Sequence, residues 1–177
     1  VEHPVTEMIT GIDLVEWQLR VAAGEVLPRA QGDVERRGHA IECRPYAERP
    51  EHGFLPSTGR IEAFAHPQTD DAVRIDSGVE AGDTVTIHYD PMIAKLVTFG
   101  IDRAAAIDAM RALLADTTVV GVDTNIALLG ELLGHARFRA GEVDTTFVDR
   151  ELEALVEGSR ELGDAHVVAA ALHGLAT

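Results

Sequence analysis

Cysteine is almost absent from this sequence: Cys43 is the only one among 177 residues. A single thiol excludes an internal disulfide and any metal cage built from several cysteines, and it fits a reducing, cytoplasmic location. Lysine is equally scarce, because Lys95 is the only lysine among fifteen lysine and arginine residues. Long apolar runs are also missing, since none approaches the roughly 20 residues that span a bilayer. We therefore expect a soluble protein without a membrane partner.

An excess of positive charge is absent as well. The formal net charge is −15, and no basic stripe along the chain offsets it. Nucleic acids and anionic membrane surfaces are bound mainly by clustered lysine and arginine, so neither is expected as a partner. The apolar content of 46% is enough for a packed core, which predicts a globular protein of one or two domains.

The motifs of several common enzyme classes are missing too. No glycine-rich loop matches a dinucleotide fingerprint or a Walker loop. The eight histidines show no i, i+4 pair around an acid, so no metal site is predicted. Ser57 and Ser77 lack the setting of an acyl-transfer nucleophile. Lys95 lies in an apolar run where a desolvated lysine could form a Schiff base, but a stem that reaches the sheet edge is the simpler interpretation.

The first residues, VEHPVTEMITGIDL, run straight into a helix, and they suggest a fragment of a longer protein. Asp13 and Glu16 have capping-box spacing, Val15 and Leu19 fall on one helical face, and Gly24 is suited to end this helix. A polar connector near residue 28 predicts a domain boundary. The expected division is therefore residues 1–28, residues 29–150, and a helix or linker over residues 151–177.

The middle of the chain predicts strands first and helices later, which is an α+β fold. Alternating apolar residues indicate half-buried strands, and the apolar run Met92–Phe99 indicates a strand buried on both faces. Asp102 and Thr124 are placed to cap two helices, with Gly134 closing the second. The first of these helices has a predicted core stripe of Ala106, Ile107, Met110, Leu113 and Leu114. The expected strands are residues 39–44, 59–65, 73–75, 84–89, 92–99 and 117–122.

Two residues are candidates for a catalytic role, Glu2 and Arg44. The residue types and their neighbours alone do not decide whether either is catalytic. Glu2 precedes a His-Pro step that would hold it rigidly, yet a lone acid is usually solvated. Arg44 shares the polar face of its strand with Glu42, and an arginine in that position more often forms an ion pair than acts on a substrate.

Five segments of the chain resemble the biotin carboxylases, the ATP-dependent components of acetyl-, propionyl- and methylcrotonyl-CoA carboxylases. The resemblance covers roughly residues 1–150 and implies the end of an ATP-grasp domain followed by the biotin carboxylase carboxy-terminal domain. Pro4 and Met8–Gly11 resemble the acyl-CoA carboxylase branch, and the arginine-rich composition would suit an actinobacterial α-subunit. The matching segments are VEHPVTEMITGIDLV (1–15), RGHAIECR (37–44), GFLPSTGRI (53–61), YDPMIAKL (89–96) and GVDTN (121–125).

The resemblance implies a mechanism. In that family the carboxylate matching Glu2 deprotonates bicarbonate, and the backbone matching Val1 helps to hold that anion. Bicarbonate attacks the γ-phosphate of ATP to give carboxyphosphate, which releases CO2 and a phosphate that takes the proton from biotin N1′. The residue matching Arg44 binds biotin and stabilises the enolate that attacks CO2. The implied cofactors are ATP, Mg2+ or Mn2+, and biotin, with most ATP and metal contacts upstream of Val1.

The resemblance also implies partners: a biotin carrier domain, a carboxyltransferase β-subunit, and a second copy of the chain in a homodimer. The biotinyl acceptor motif Ala-Met-Lys-Met is absent, so the chain is not itself expected to carry biotin, and alone it is expected to be inactive. Pro45-Tyr46 and residues 68–71 depart from the family pattern, the latter near the subunit interface of some members. Two alternatives stay open, a dimerising module without its own chemistry and another ATP-grasp ligase.

Overall fold

The amino-terminal part of the fold contains two helices. The computed structural model describes residues 4–159 of the chain. Helix α1 (Val5–Thr10) and helix α2 (Leu14–Ala22) are followed by a 3-10 turn (Gln31–Asp33). The predicted cap of α2 is confirmed, because the Asp13 carboxylate accepts a hydrogen bond of 2.8 Å from the Glu16 N–H. Gly24, just beyond the end of this helix, has φ +87°, a backbone conformation that glycine adopts without strain.

The apolar face of α2 does not pack into the core. None of its nine residues is buried, and Val15 and Leu19 expose 51% and 68% of their surface. The predicted helix and its apolar side chains are therefore present, but this face lies on the surface of the chain.

The described part of the chain contains mostly short strands that pair in antiparallel order. This confirms the α+β fold. Four separate sheets result, of which the largest has the order β1-β8-β6, while β2 pairs with β3, β4 with β7 and β5 with β9. The strands are β1 (His39–Cys43), β2 (Glu48–Arg49), β3 (Leu55–Pro56), β4 (Gly59–Arg60), β5 (Ala63–Ala65), β6 (Val73–Ser77), β7 (Thr84–Val85), β8 (Ala94–Gly100) and β9 (Thr118–Val120).

The central strand of the three-stranded sheet is β8. Leu96 and Val97, which point to opposite faces of the sheet, are both completely buried. This confirms the prediction of a strand covered on both faces. Lys95 in the same strand lies opposite Asp76 in the register with β6, at a half-buried position.

Helix α3 (Arg103–Ala115) supplies one side of the core. Its cap was predicted correctly, since the Asp102 carboxylate accepts a hydrogen bond of 2.8 Å from the Ala105 N–H. Thr98 of β8 donates from its buried hydroxyl to the Ala106 carbonyl at 2.8 Å, which ties strand and helix together. All the predicted core positions of α3 are buried, and these are Ala106, Ile107, Met110, Leu113 and Leu114.

The single strand predicted over residues 59–65 is wrong, because the chain changes pairing partners there. The Ile61 N–H donates to the Asp83 carbonyl at 2.9 Å, whereas the next residue, Glu62, donates to the Val120 carbonyl at 2.7 Å. The segment is therefore divided into β4 and β5. Gly121 permits this close crossing, since a Cβ there would lie only 2.0 Å from the Arg60 carbonyl oxygen.

The strand predicted over residues 84–89 is too long. Only Thr84–Val85 forms a strand, and Ile87 and Tyr89 expose 76% and 85% of their surface. Local hydrogen bonds compete with a sheet ladder here, because the Thr86 hydroxyl accepts from the His88 N–H at 3.3 Å. The alternation of apolar and polar residues therefore extends to Tyr89, whereas the backbone pairing of this strand ends at Val85.

The helix predicted to start at Thr124 has Asn125 as its cap residue instead. Helix α4 (Ile126–Gly134) receives no side-chain cap bond, because the Asn125 side chain bonds to another segment. Helix α5 (Ala136–Ala140) follows, and residues 147–159 form a further helix, α6. No helix within residues 4–159 has the length and apolar character needed to cross a bilayer. The domain boundaries stay predictions, and residues 160–177 of the predicted linker lie outside the described residues.

Candidate active site

Arg44 lies directly after the last residue of β1, and 28% of its side chain is exposed. Its Nε donates a hydrogen bond of 3.2 Å to Oε1 of Glu42, whose side chain is only 9% exposed. Arg44 and Glu42 therefore form the ion pair that the sequence suggested as an alternative to a catalytic role for Arg44. It orients the guanidinium without excluding a role in binding an anion, because this group carries five N–H donors in a planar fork.

The backbone that follows Arg44 continues the pairing of β1 with the chain around β8. The Pro45 carbonyl accepts from the Ile93 N–H, and the Ala47 N–H donates to the Pro91 carbonyl, both at 2.8 Å. Between these bonds, Tyr46 and Met92 form an isolated bridge. The backbone after Arg44 is thus hydrogen-bonded to residues 91–93, which suits a side chain that must act with fixed geometry.

Asn125 binds the same segment from the opposite side, and only 6% of its surface is exposed. Its Oδ1 accepts from the Tyr46 N–H at 2.9 Å, and its own N–H donates to the Tyr46 carbonyl at 3.2 Å. Its Nδ2 donates to the Arg44 carbonyl at 3.3 Å and to Oε1 of Glu48 at 2.9 Å. On the Tyr46 side both bonds use its main-chain N–H and carbonyl, so they do not depend on the Tyr46 side chain, which departs from the family pattern.

Two carboxyl groups near this segment, those of Glu48 and Asp123, have pKa values shifted in opposite directions. Burial raises the pKa of the Glu48 carboxyl, the bond from Asn125 opposes that change, and the negative charge of Asp90 adds to it. The Arg49 guanidinium lies 2.5 Å from Asp123 and, with a smaller contribution from Ser57, holds the pKa of the Asp123 carboxyl below its usual range. Of the residues that follow Arg44, Glu48 therefore carries a carboxyl that resists ionisation, and Arg49 pairs with one that favours it, that of Asp123.

Ser57 and Cys43, two residues whose types can act as nucleophiles, are buried and have structural roles. The Ser57 hydroxyl is buried and donates to Asp123 Oδ2 at 3.1 Å while accepting from the Asp123 N–H at 3.0 Å. Burial, with the nearby charge of Glu42, raises the pKa of the Cys43 thiol to about 12. Among residues 4–159, no group of three or more His, Cys, Asp or Glu side chains could hold a metal ion.

Two of the three predicted site residues, Val1 and Glu2, lie outside the described residues. Arg44 lies directly after β1, and its assignment as a site residue stays a prediction. The pairing of Glu2 with Arg44 in one site stays a prediction.

Comparison with known families decides the identity of the fold. A family model described as the biotin carboxylase C-terminal domain matches residues 42–150, a range that includes Arg44 and Asn125. The chain belongs to the biotin carboxylase family. A second model, described as the ATP binding domain of the carbamoyl-phosphate synthase L chain, matches residues 1–30. The change between the two models falls between residues 30 and 42, after the sequence-predicted boundary.

Relatives of the biotin carboxylase family resemble the chain over most of its length. The α-subunit of mitochondrial methylcrotonoyl-CoA carboxylase from Rattus norvegicus is 46% identical over 97% of the chain. The mitochondrial propionyl-CoA carboxylase α-chain of Homo sapiens is 47% identical over 84% of it. The chain spans about a quarter of these relatives, namely 24% and 20% of their lengths.

Solved structures of biotin carboxylases have the same fold. The biotin carboxylase domain dimer of 2-oxoglutarate carboxylase from Hydrogenobacter thermophilus, in complex with MgADP, ADP and bicarbonate, matches with a TM-score of 0.83 and 41% identity. The biotin carboxylase subunit of a pyruvate carboxylase matches with the same TM-score and 42% identity. The chain is covered to 88% in both comparisons, which span 34% of each of the two larger chains.

Sequence reasoning missed the role of Asn125. The motif GVDTN was recognised as part of the resemblance, but Thr124 was assigned the cap of α4. The Asn125 side chain bonds instead to residues 77–81 positions away in the sequence. The available signal was the amide side chain within a matching motif, at a position where a cap residue was also expected.

Proposed function

We propose that the chain forms part of a biotin carboxylase that uses ATP and bicarbonate to carboxylate biotin within an acyl-CoA carboxylase. The observation that carries this proposal is the position of Arg44. It is the last residue of the matching segment RGHAIECR (37–44), its guanidinium is oriented by Glu42, and its backbone is held by two other segments. A fixed guanidinium suits the stabilisation of the biotin enolate, since one well-placed donor to a developing oxyanion contributes on the order of 3 kcal/mol.

Glu2 is proposed as the base that deprotonates bicarbonate, with the Val1 backbone helping to hold the anion. An ordinary glutamate has a pKa of about 4.3, which is low for this task. The carboxylate would therefore act together with cations that stabilise the carbonate as it forms. The deprotonated bicarbonate would attack the γ-phosphate of ATP, with ADP as the leaving group, to form carboxyphosphate. Carboxyphosphate would then release CO2 and phosphate, and the phosphate would take the proton from biotin N1′. The match of residues 1–30 to an ATP binding domain supports ATP with Mg2+ as the cofactor of this step.

The proposed partners are a biotin carrier domain, a carboxyltransferase subunit and a second copy of the chain. The proposal is supported by the names of the relatives, which are α-subunits of carboxylases, and by the biotin carboxylase domain dimer among the similar structures. A cytoplasmic location is part of the proposal, although several relatives are named as mitochondrial proteins.

The proposed function is tested with Arg44→Ala in the full-length protein. We expect carboxylation of free biotin to fall on the order of 10²-fold or more, because the enolate loses its charged donor. Hydrolysis of ATP that requires bicarbonate but no biotin should continue, since Arg44 is assigned to the biotin step alone. Glu2→Gln should abolish both reactions.

The matched control is Arg49→Ala. Arg49 is also an arginine of this segment, but its side chain is 47% exposed and forms an ion pair with Asp123 at the surface. We expect that variant to carboxylate biotin within about twofold of the unaltered protein, because exposed ion pairs contribute little. Near-normal carboxylation by Arg44→Ala would reject the proposed function of this residue.

A further inference from the structure

Asn125 bonds to the backbone of the proposed catalytic arginine, and the geometry points to a role beyond holding the fold. We propose that Asn125 is a positioning residue, which orients Arg44 for the biotin step. This inference rests on the proposed function, because it gives Asn125 a task only if Arg44 contacts biotin.

The Asn125 amide is fully used in this arrangement. Its oxygen accepts from the Tyr46 N–H, and its nitrogen, which carries two hydrogens, donates to the Arg44 carbonyl and to the Glu48 carboxylate. With its own backbone N–H bonded to the Tyr46 carbonyl, Asn125 contacts residues 44, 46 and 48 at once. An amide is the side chain that meets this demand, because it combines two donors with an acceptor at one planar group.

The position of Asn125 is itself fixed by its surroundings. Two residues before it, the main-chain N–H of Asp123 donates to the buried hydroxyl of Ser57 at 3.0 Å. Directly after it, α4 begins with Ile126, which is 5% exposed and belongs to the main hydrophobic cluster. Asn125 therefore connects Arg44 to the packed core.

A shift of the Arg44 backbone would move the guanidinium. Pro45 lies between Arg44 and Tyr46, and its ring fixes its φ angle. This removes one of the backbone rotations that could compensate for a displacement of Tyr46, so such a displacement also moves the Arg44 backbone. A misplacement of about 1 Å by a change away from the reacting atoms can cost about 10²-fold in rate. Loss of the Asn125 bonds should therefore affect the reaction that uses Arg44.

The test uses Asn125→Asp in the full-length protein. Aspartate has the same shape and keeps the acceptor for Tyr46, but it places an oxygen where Nδ2 now donates to the Arg44 carbonyl and Glu48. The matched control is Asp123→Asn, the reverse change in the same loop, which alters the ion pair with Arg49 and the bond accepted from the Ser57 hydroxyl but no bond to Arg44. Asn125→Ser is a second variant that remains neutral but cannot make all three side-chain bonds.

Two rates are measured on the same preparation: carboxylation of free biotin, and ATP hydrolysis that requires bicarbonate without biotin. For Asn125→Asp and Asn125→Ser we expect the first rate to fall by roughly 10- to 100-fold while the second changes less than about twofold. The ratio of the two rates does not depend on the fraction of folded protein, so a simple loss of stability leaves it unchanged. Asp123→Asn should also leave the ratio unchanged.

Combining Asn125→Asp with Arg44→Ala separates positioning from an independent contribution. If Asn125 acts through Arg44, the double variant carboxylates biotin as fast as Arg44→Ala alone. An unchanged ratio in both Asn125 variants, or a double variant slower than Arg44→Ala by the full factor of Asn125→Asp, overturns the positioning role. Near-normal carboxylation by Arg44→Ala instead rejects the proposed function, so the two failures are distinguishable.

Discussion

Helices α2 and α3 have the same kind of N-terminal cap but differ in how much of their apolar face is buried. Each is capped by an aspartate that accepts a 2.8 Å bond from the N–H three residues later, Asp13 in α2 and Asp102 in α3. Yet α3 buries five side chains in the core, whereas α2 buries none. A cap and an amphipathic pattern thus define where a helix begins and which face is apolar, but not whether that face is covered.

The difference has an energetic consequence. Burial of one large apolar side chain contributes about 1.5–3 kcal/mol, so α3 is stabilised chiefly by its contacts with the sheet. Helix α2 has nine residues, fewer than the roughly 12–15 at which isolated helices become stable in water. It depends on its cap and on surface pairs such as Glu16 with Arg20, which lie 2.6 Å apart. We therefore expect the two helices to respond differently to matched substitutions.

The largest effect is expected for Leu114→Ala in α3. Leu114 is 2% exposed, and removal of a buried leucine side chain typically costs about 2–5 kcal/mol of unfolding free energy. Denaturant unfolding of the 177-residue chain measures this loss. Alkylation of Cys43 provides a second probe, because burial raises the pKa of its thiol to about 12 and leaves it unreactive near pH 8 until the sheet opens.

Leu114→Ala should therefore accelerate alkylation of Cys43 about tenfold for each ~1.4 kcal/mol of stability lost. A loss below about 1 kcal/mol would contradict the central place of α3 in the core.

An intermediate effect is expected for Asp13→Ala. Removal of an aspartate cap costs about 1 kcal/mol, and here the loss should be confined to α2. Amide hydrogen exchange should become faster in α2 while alkylation of Cys43 keeps its rate. Asp13→Asn is the control, since asparagine is an equally good cap residue. Faster alkylation of Cys43 in Asp13→Ala would mean that α2 and the sheet unfold as one unit, and the contrast between the helices would be lost.

The smallest effect is expected for Leu19→Ala in α2, the matched partner of Leu114→Ala. Leu19 is 68% exposed, and leucine and alanine have similar helix propensities, so the change should stay within about 0.5 kcal/mol. The measurement is again denaturant unfolding of the 177-residue chain. In the full-length protein the same substitution measures whether another segment covers this face, and a larger loss there would sharpen the comparison.

The elements that sequence patterns predicted well are those determined by near neighbours. The cap at Asp102, the buried positions of α3 and the double-sided burial of β8 all follow from periodicity within a few turns or residues. Most failures occurred where a distant segment decides, whereas the early end of β7 accompanies local hydrogen bonding. The division of residues 59–65 depends on pairing with β7 and β9, and the surface location of the α2 face depends on what packs against it.

The candidate site follows the same rule. The segment RGHAIECR (37–44) made Arg44 a candidate, and the alternating pattern placed Glu42 beside it on one strand face, where the structure forms the ion pair. The bond between Asn125 and the Arg44 carbonyl joins residues 81 positions apart, and no pattern within either motif specifies it. Motifs can therefore name a candidate side chain, whereas the residues that hold it in place depend on the tertiary fold.

The strand order β1-β8-β6 implies an order of assembly during synthesis. The central strand β8 is the last of the three along the chain, so neither outer strand can pair until residues 94–100 have been made. Residues 78–93 separate β6 from β8, whereas residues 44–93 separate β1 from it. Because closure entropy grows with the logarithm of loop length, the longer loop costs about 1 kcal/mol more. The β6–β8 hairpin should therefore form first, and Arg44 reaches its final place only when β1 joins and residue 125 has left the ribosome.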